Sequence, residues 1–207
     1  MNFICIAKEM DKLFSVNIDK LVSMTPQEET AYQELCNRVL AKGRRFKTIA
    51  VIGENGIALK LADTIRRSEN NVLFIDADFS TSVFMNKYKL GKNLKGISDY
   101  FAGSELPDKI ICVTNKEDIN VVFTGDVDNY SVLEQNEIAF CRLMDLYKND
   151  YDYIILEVGS GIDIAKQCDG ALLIMNTDDY SQKKAKKEVN GLSSEGCLIL
   201  GVVINKV

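Results

Sequence analysis

The chain has 207 residues, a net charge of −5 and no histidine. The acidic balance offers no broad cationic surface for nucleic acid, and the lack of histidine excludes Ser-His and Cys-His nucleophilic mechanisms. Its six cysteines (Cys5, Cys36, Cys112, Cys141, Cys168 and Cys197) form no Cys-x-x-Cys pair, which argues against a zinc site or a disulfide framework and for a reducing, cytoplasmic setting.

An apolar fraction of 46% suffices for one core, so residues 1–207 are expected to form a single α/β domain, with 1–27 as an N-terminal extension. No apolar run approaches the ~20 residues of a membrane span, and no signal peptide is visible. MNFICIA, at the start, reads as a short strand or an apolar tail. Thr25-Pro26 then opens a helix. Thr25 is the N-cap, Pro26 takes the first helical position, Glu28 completes a capping box and Gly43 closes it. Tyr32, Leu35 and Val39 share one face of that helix. Lys42, Arg44, Arg45 and Lys47 behind it read as a solvated helix end.

Thr48 to Ile52 is the next strand. After Gly56 a helix places Ile57, Leu61 and Ile65 on one side, with Ala58 and Ala62 beside them. Val72 to Ile75 is a continuous apolar run, as expected of a strand buried on both faces, and Asp76 and Asp78 follow at its carboxyl end. Ser98 is a candidate cap for a short helix in 96–103. Ile110–Val113 and Ile119–Phe123 are strand candidates. Leu133–Tyr147 is a helix with Phe140, Leu143, Met144 and Tyr147 on its apolar stripe. Tyr153–Val158 and Ala171–Met175 are buried strands, Ser181–Leu192 a helix and Leu198–Ile204 the last strand. Lys183, Lys184, Lys186 and Lys187 read as a solvated face, with a membrane surface or an acidic partner as the sharper alternative. Alternating strands and helices imply a mostly parallel sheet flanked by helices on both faces, with ligands at the carboxyl ends of its strands.

The stretch from Lys47 to Asp78 is thus a strand, a glycine turn, a helix and a strand, the arrangement that holds phosphate groups. A P-loop needs Gly-x-x-x-x-Gly-Lys-[Ser/Thr]. Here the turn is only Gly53-Glu54-Asn55-Gly56, and no Lys-Ser or Lys-Thr pair follows. These four residues are the remnant phosphate loop, and the Glu54 carboxylate is a candidate substitute for the missing phosphate at the positive helix end. A rival reading takes the same stretch as a Rossmann dinucleotide site with Asp76 on the ribose. It lacks the middle glycine, since Asn55 stands there.

Six segments, VLFIDAD at 72–78, GISDYFAG at 96–103, INVVFTGD at 119–126, YDYIILE at 151–157, DGALLIM at 169–175 and LGVVINKV at 200–207, together resemble the bacterial tyrosine kinases of capsule and exopolysaccharide synthesis. These are relatives of the MinD/ParA group of P-loop ATPases. The resemblance covers about residues 28–207 and implies a P-loop NTPase fold of that type. It also implies that Asp76, Asp78 and Glu157 match the family's catalytic acids. The departures fall on the functional motifs. The Gly-rich loop is shortened, and Lys60 is the only lysine near it. Phe79-Ser80-Thr81-Ser82 replaces an Arg- and Pro-containing continuation. Glu157 stands where an aspartate is usual, with Val158-Gly159-Ser160 in place of Thr-Pro-Pro. The family's Glu-x-Tyr-Arg assembly helix is matched only by Tyr32, with Thr30 and Gln33 at the charged positions. No tyrosine-rich tail follows within the sequence.

Charge-assisted hydrogen bonds contribute roughly 1.5–3 kcal/mol each. Losing the lysine and one other phosphate contact therefore costs about 3–6 kcal/mol, or roughly a hundred- to ten-thousand-fold in affinity. The expectation is a degenerate member with no cofactor, ATP and magnesium entering only if the short loop still works, and no metal site. Such a protein would act by binding a transmembrane chain-length regulator or a kinase subunit, and the sequence leaves homo-oligomerisation open. An active ATP-dependent kinase or ATPase is the alternative. For Asp76, Asp78 and Glu157, a plain role at strand ends competes with a catalytic one.

Overall fold

Four continuous apolar runs make the centre of the molecule, because strands covered on both faces need no polar alternation. In a computed structural model, residues 15–53, 56–79, 95–125 and 137–205 are described. The elements are β1 (Ser15–Val16), α1 (Pro26–Leu40), β2 (Thr48–Ile52), α2 (Ile57–Arg66), β3 (Val72–Asp76), α3 (Ile97–Phe101), β4 (Ile111–Thr114), β5 (Ile119–Val122), α4 (Glu137–Asp150), β6 (Tyr153–Gly159), α5 (Ile162–Ala165), β7 (Gly170–Asn176), α6 (Gln182–Ser194) and β8 (Ile199–Asn205). Every residue of β2, β3 and β6 is buried, and β7 is buried up to its last residue.

The eight strands form one sheet in the order β1-β4-β5-β3-β6-β2-β7-β8. All pairings are parallel except β4 with β5, a hairpin closed through Asp118 at φ 61°. One consequence was not legible in the sequence. β2 and β3, joined through α2, are not neighbours, because β6 is inserted between them. The dinucleotide-binding order 3-2-1-4-5-6 places the first two strands side by side. The rival Rossmann reading loses its footing here.

The sheet separates two cores. Ile49 and Val51 of β2 face α1 and α2, while Ala50 and Ile52 face the side that holds α3, α4, α5 and α6. α1 starts as the sequence predicts: Thr25 Oγ1 accepts from the Glu28 N–H at 3.3 Å, and Glu28 Oε2 accepts from the Thr25 N–H at 2.8 Å. Its most buried residues are Cys36 and Val39, with Tyr32 and Leu35 packed partly against the core.

The stripe Phe140, Leu143, Met144 and Tyr147 of α4 is buried as expected. The expected helix start at Leu133 lies outside the described residues, as do MNFICIA and most of 79–89. α6 exposes Lys183, Lys184, Lys186 and Lys187, and Lys184 pairs with Asp179 at 3.0 Å. Among the described residues, no helix is long and apolar enough to cross a membrane.

Candidate functional site

The carboxyl ends of β2, β3 and β6 meet around the start of α2, and three acids gather there. Asp76 ends β3 in register with Glu157 of β6. Asp78 follows two residues later, its N–H 3.4 Å from Asp76 Oδ1. Asp76, Asp78 and Glu157 are 0%, 3% and 1% exposed. All three acids chosen from the sequence therefore sit at one sheet edge, and they sit inside the protein rather than in solvent. Adjacent buried carboxylates destabilise one another unless donors or positive dipoles face them.

One such donor is the start of α2. Gly56 precedes the helix at φ +88°, with no side chain to cap it. Its N–H donates to Glu157 Oε1 at 2.8 Å, across 101 residues of sequence. A carboxylate at a helix N-terminus meets unsatisfied N–H groups and the positive end of the dipole. The strand order makes this contact feasible, since β6 lies directly beside β2. So does an irregularity in their pairing: Val51 aligns with Glu157, but Ile52 aligns with Gly159.

Gly53, before the turn, and Gly159, beside it, are closely packed. Gly53 sits at φ +116° and donates its N–H to the Gly159 carbonyl at 2.8 Å, and a Cβ there would lie 2.8 Å from the Ile174 carbonyl oxygen. Gly159, at φ +53°, faces Asp78, whose Oδ2 would be 2.5 Å from an added Cβ. Glu54 and Asn55 lie outside the described residues. The carboxylate that the structure does place against the Gly56 N–H is that of Glu157. The sequence marked Glu157 as a candidate catalytic acid or a strand-end acid, not as a partner of the turn. Nothing local could have revealed the contact, because it depends on which strand lies beside β2.

Lys60, the lysine nearest the turn in sequence, points elsewhere. Its Nζ is 2.8 Å from Glu28 Oε1 and 5.9 Å from the centre of the Tyr32 ring, both on α1. Positions 57 and 58, directly after Gly56, hold Ile57 and Ala58.

Two of the segments picked from the sequence meet further along the same edge. A Cβ on Gly96 would lie 2.3 Å from the Gly125 nitrogen and the Phe123 oxygen, so only glycine fits between α3 and the end of β5. The Ile97 and Ser98 N–H groups donate to the Phe123 and Thr124 carbonyls at 2.8 and 3.0 Å. Ser98 is not the cap expected of it. Gly96 precedes α3, and Asp99 Oδ2 accepts the Gly96 N–H at 2.9 Å while Oδ1 pairs with Lys95. The acid three residues after Gly96 was the signal available in the sequence.

No family model matches the chain. Over 201 residues it is 27% identical to the tyrosine-protein kinase CpsD of Streptococcus pneumoniae serotype 4, covering 91% of this chain and 88% of that protein. Tyrosine-protein kinases of the CpsD and Etk kind are its homologues. The kinase domain of Escherichia coli ETK superposes with a TM-score of 0.77 at 19% identity, over 94% of this chain and 89% of that one. The septum site-determining protein MinD of Pyrococcus horikoshii, solved with Mg-ADP, superposes at 0.59 with 17% identity, over 77% and 70%. The fold is therefore that of the MinD-like P-loop proteins and the bacterial tyrosine kinase domains, as the six segments implied.

Proposed function

We propose that this chain serves capsular or exopolysaccharide synthesis as a tyrosine-kinase-like P-loop protein with impaired ATP binding, working through a protein partner. The pathway rests on its likeness to CpsD along nine-tenths of the chain. Impairment rests on the start of α2. Where a P-loop sets Lys-Ser or Lys-Thr against phosphate and magnesium, this chain has Ile57 and Ala58, and Lys60 is bound to Glu28 on α1. These residues do not fit a magnesium-bound triphosphate, and the acids at Asp76, Asp78 and Glu157 repel one. The remnant loop, Gly53 to Gly56, is then a structural turn, and the three acids hold strand ends together. The partner is a transmembrane chain-length regulator or an active kinase subunit. The chain would work in the cytoplasm and reach the membrane through that partner.

A second reading keeps an enzyme, an ATP-dependent tyrosine kinase or ATPase with an atypical loop. What favours it is the gathering of Asp76, Asp78 and Glu157 at one edge, the disposition expected of a magnesium and water site. Calorimetric titration with ATP, with and without magnesium, separates the two. Under the proposal, no heat of binding appears at millimolar nucleotide. Magnesium-dependent micromolar binding that disappears in Asp76→Ala would establish the enzyme instead.

A further inference from the structure

We infer that the outer edge of β8 is a docking strand for an acidic, extended peptide segment of a protein partner. This rests on the reading above that the chain works through such a partner, and it names the surface and the chemistry of the segment.

β8 ends the sheet, and among the described residues no strand pairs with its outer side. Edge strands are ordinarily protected by charge, proline or shortness. Ile199–Asn205 is seven residues long and contains no charged residue and no proline. Its one irregularity lies near the start, where Ala171 aligns with Ile199 but Leu172 with Gly201. From Gly201 to Asn205 the pairing with β7 is regular. The Asn205 carbonyl is turned toward β7, where it accepts from Thr177 Oγ1 at 2.9 Å. Alternation along an extended chain therefore turns the peptide groups of Val202 and Ile204 outward. These two are also the most open residues of the strand, at 36% and 41% exposure.

The flanks fit an acidic, partly apolar guest. On one face, β8 and α1 enclose a cleft of about 380 Å³ lined by Leu35, Leu200 and Val203 together with the exposed Arg38 and Lys42. On the other face, α6 packs against β8 and exposes Lys183, Lys186 and Lys187. Glu34 and Asp179 are already paired, with Arg38 and Lys184. Lys42, Lys183, Lys186 and Lys187 have no ion-pair partner among the described residues. Positive charge thus borders an apolar edge. When a peptide adds a strand to a sheet, main-chain hydrogen bonds give affinity and alternate side chains give selection. A second copy is the poorer guest. Antiparallel pairing of two β8 edges about a two-fold axis puts both α1 helices on one face of the joined sheet, so like cations meet across the seam.

The test uses the full chain, labelled with nitrogen-15, and a blocked heptapeptide of alternating glutamate and valine. Adding this peptide should shift the Val202 and Ile204 amides and slow their hydrogen exchange, and binding should weaken as salt rises. The same peptide with lysine in place of glutamate should bind roughly tenfold more weakly or worse. Val202→Pro removes an outward N–H, which an edge strand tolerates, and should lose roughly tenfold in affinity. Lys42→Glu leaves the backbone as it is and should lose roughly fivefold.

The inference is overturned if millimolar glutamate peptide leaves both amides unmoved, if the lysine peptide binds as well, or if Lys42→Glu binds like the parent. It is equally overturned if the two amides shift with protein concentration alone, since the edge then pairs with a second copy. Failure of the functional reading looks different: the parent would bind magnesium-ATP, whether or not these amides respond to peptide.

Discussion

Helices α1 and α2 are tied together by the Lys60–Glu28 ion pair, yet their N-termini are stabilised in opposite ways. At α1, everything needed lies within four residues. Thr25 accepts from Glu28, Glu28 accepts from Thr25, and Pro26 supplies a φ already suited to the first turn. At α2, the capping position is a glycine and the acceptor is a carboxylate 101 residues away. The first start can form as soon as its own segment folds. The Gly56–Glu157 contact at the second forms only when β6 has docked between β2 and β3. A cap of local residues reports on helix formation. A cap delivered by a neighbouring strand couples the helix to the whole sheet.

The largest effect should come from breaking the distant arrangement without touching its charges. Gly159 holds Gly53 through its carbonyl and leaves room for Asp78. Alanine there must adopt φ +53° and put Cβ 2.5 Å from a buried carboxylate oxygen. Gly159→Ala should cost about 3 kcal/mol and lower the thermal midpoint by ~6–12 °C. A fall smaller than that of a cap deletion at α1 would mean that the β6 end yields easily, and the contrast between the two helix starts would weaken. That cap deletion, Thr25→Ala, ranks next. It should cost about 1 kcal/mol, or ~2–4 °C, and leave Gly56 amide exchange unaltered.

The same contrast explains what the sequence disclosed. The capping box, the buried runs in β2, β3, β6 and β7, and the stripe Phe140, Leu143, Met144 and Tyr147 are written in neighbouring residues, and each is found where its pattern placed it. The three acids were legible too, because strand ends in a parallel sheet share one edge. Strand order was not, since continuous apolar runs carry no mark of which run they will pair with. The insertion of β6 between β2 and β3 therefore went unseen, and with it the partner of Gly56. Ser98 was misread for a related reason. The Gly96 backbone is needed for close approach to Gly125, and that demand comes from β5 rather than from the helix. α5, at Ile162–Ala165, is too short for any periodic signal.

The smallest effect, and the finest probe of the α1 end, is electrostatic. The hydrogen bond from Lys60, with those from Thr25, holds the Glu28 carboxyl at about 2, against an ordinary 4.5. A carboxyl depressed on folding stabilises the native state above its unfolded value, and that contribution fades as pH falls through the folded one. Glu28→Gln retains a side-chain oxygen for the Thr25 N–H but not the charge. The variant should therefore be less stable than the parent at pH 7, and the difference should shrink below pH 4.5 and vanish only as pH falls below about 2. Because the Glu28 side chain is 42% exposed, solvent screening limits the effect to less than about 1 kcal/mol. Urea denaturation of both proteins across that range measures it. A difference that persists undiminished at pH 2 would assign the role of Glu28 to packing rather than to its pair with Lys60.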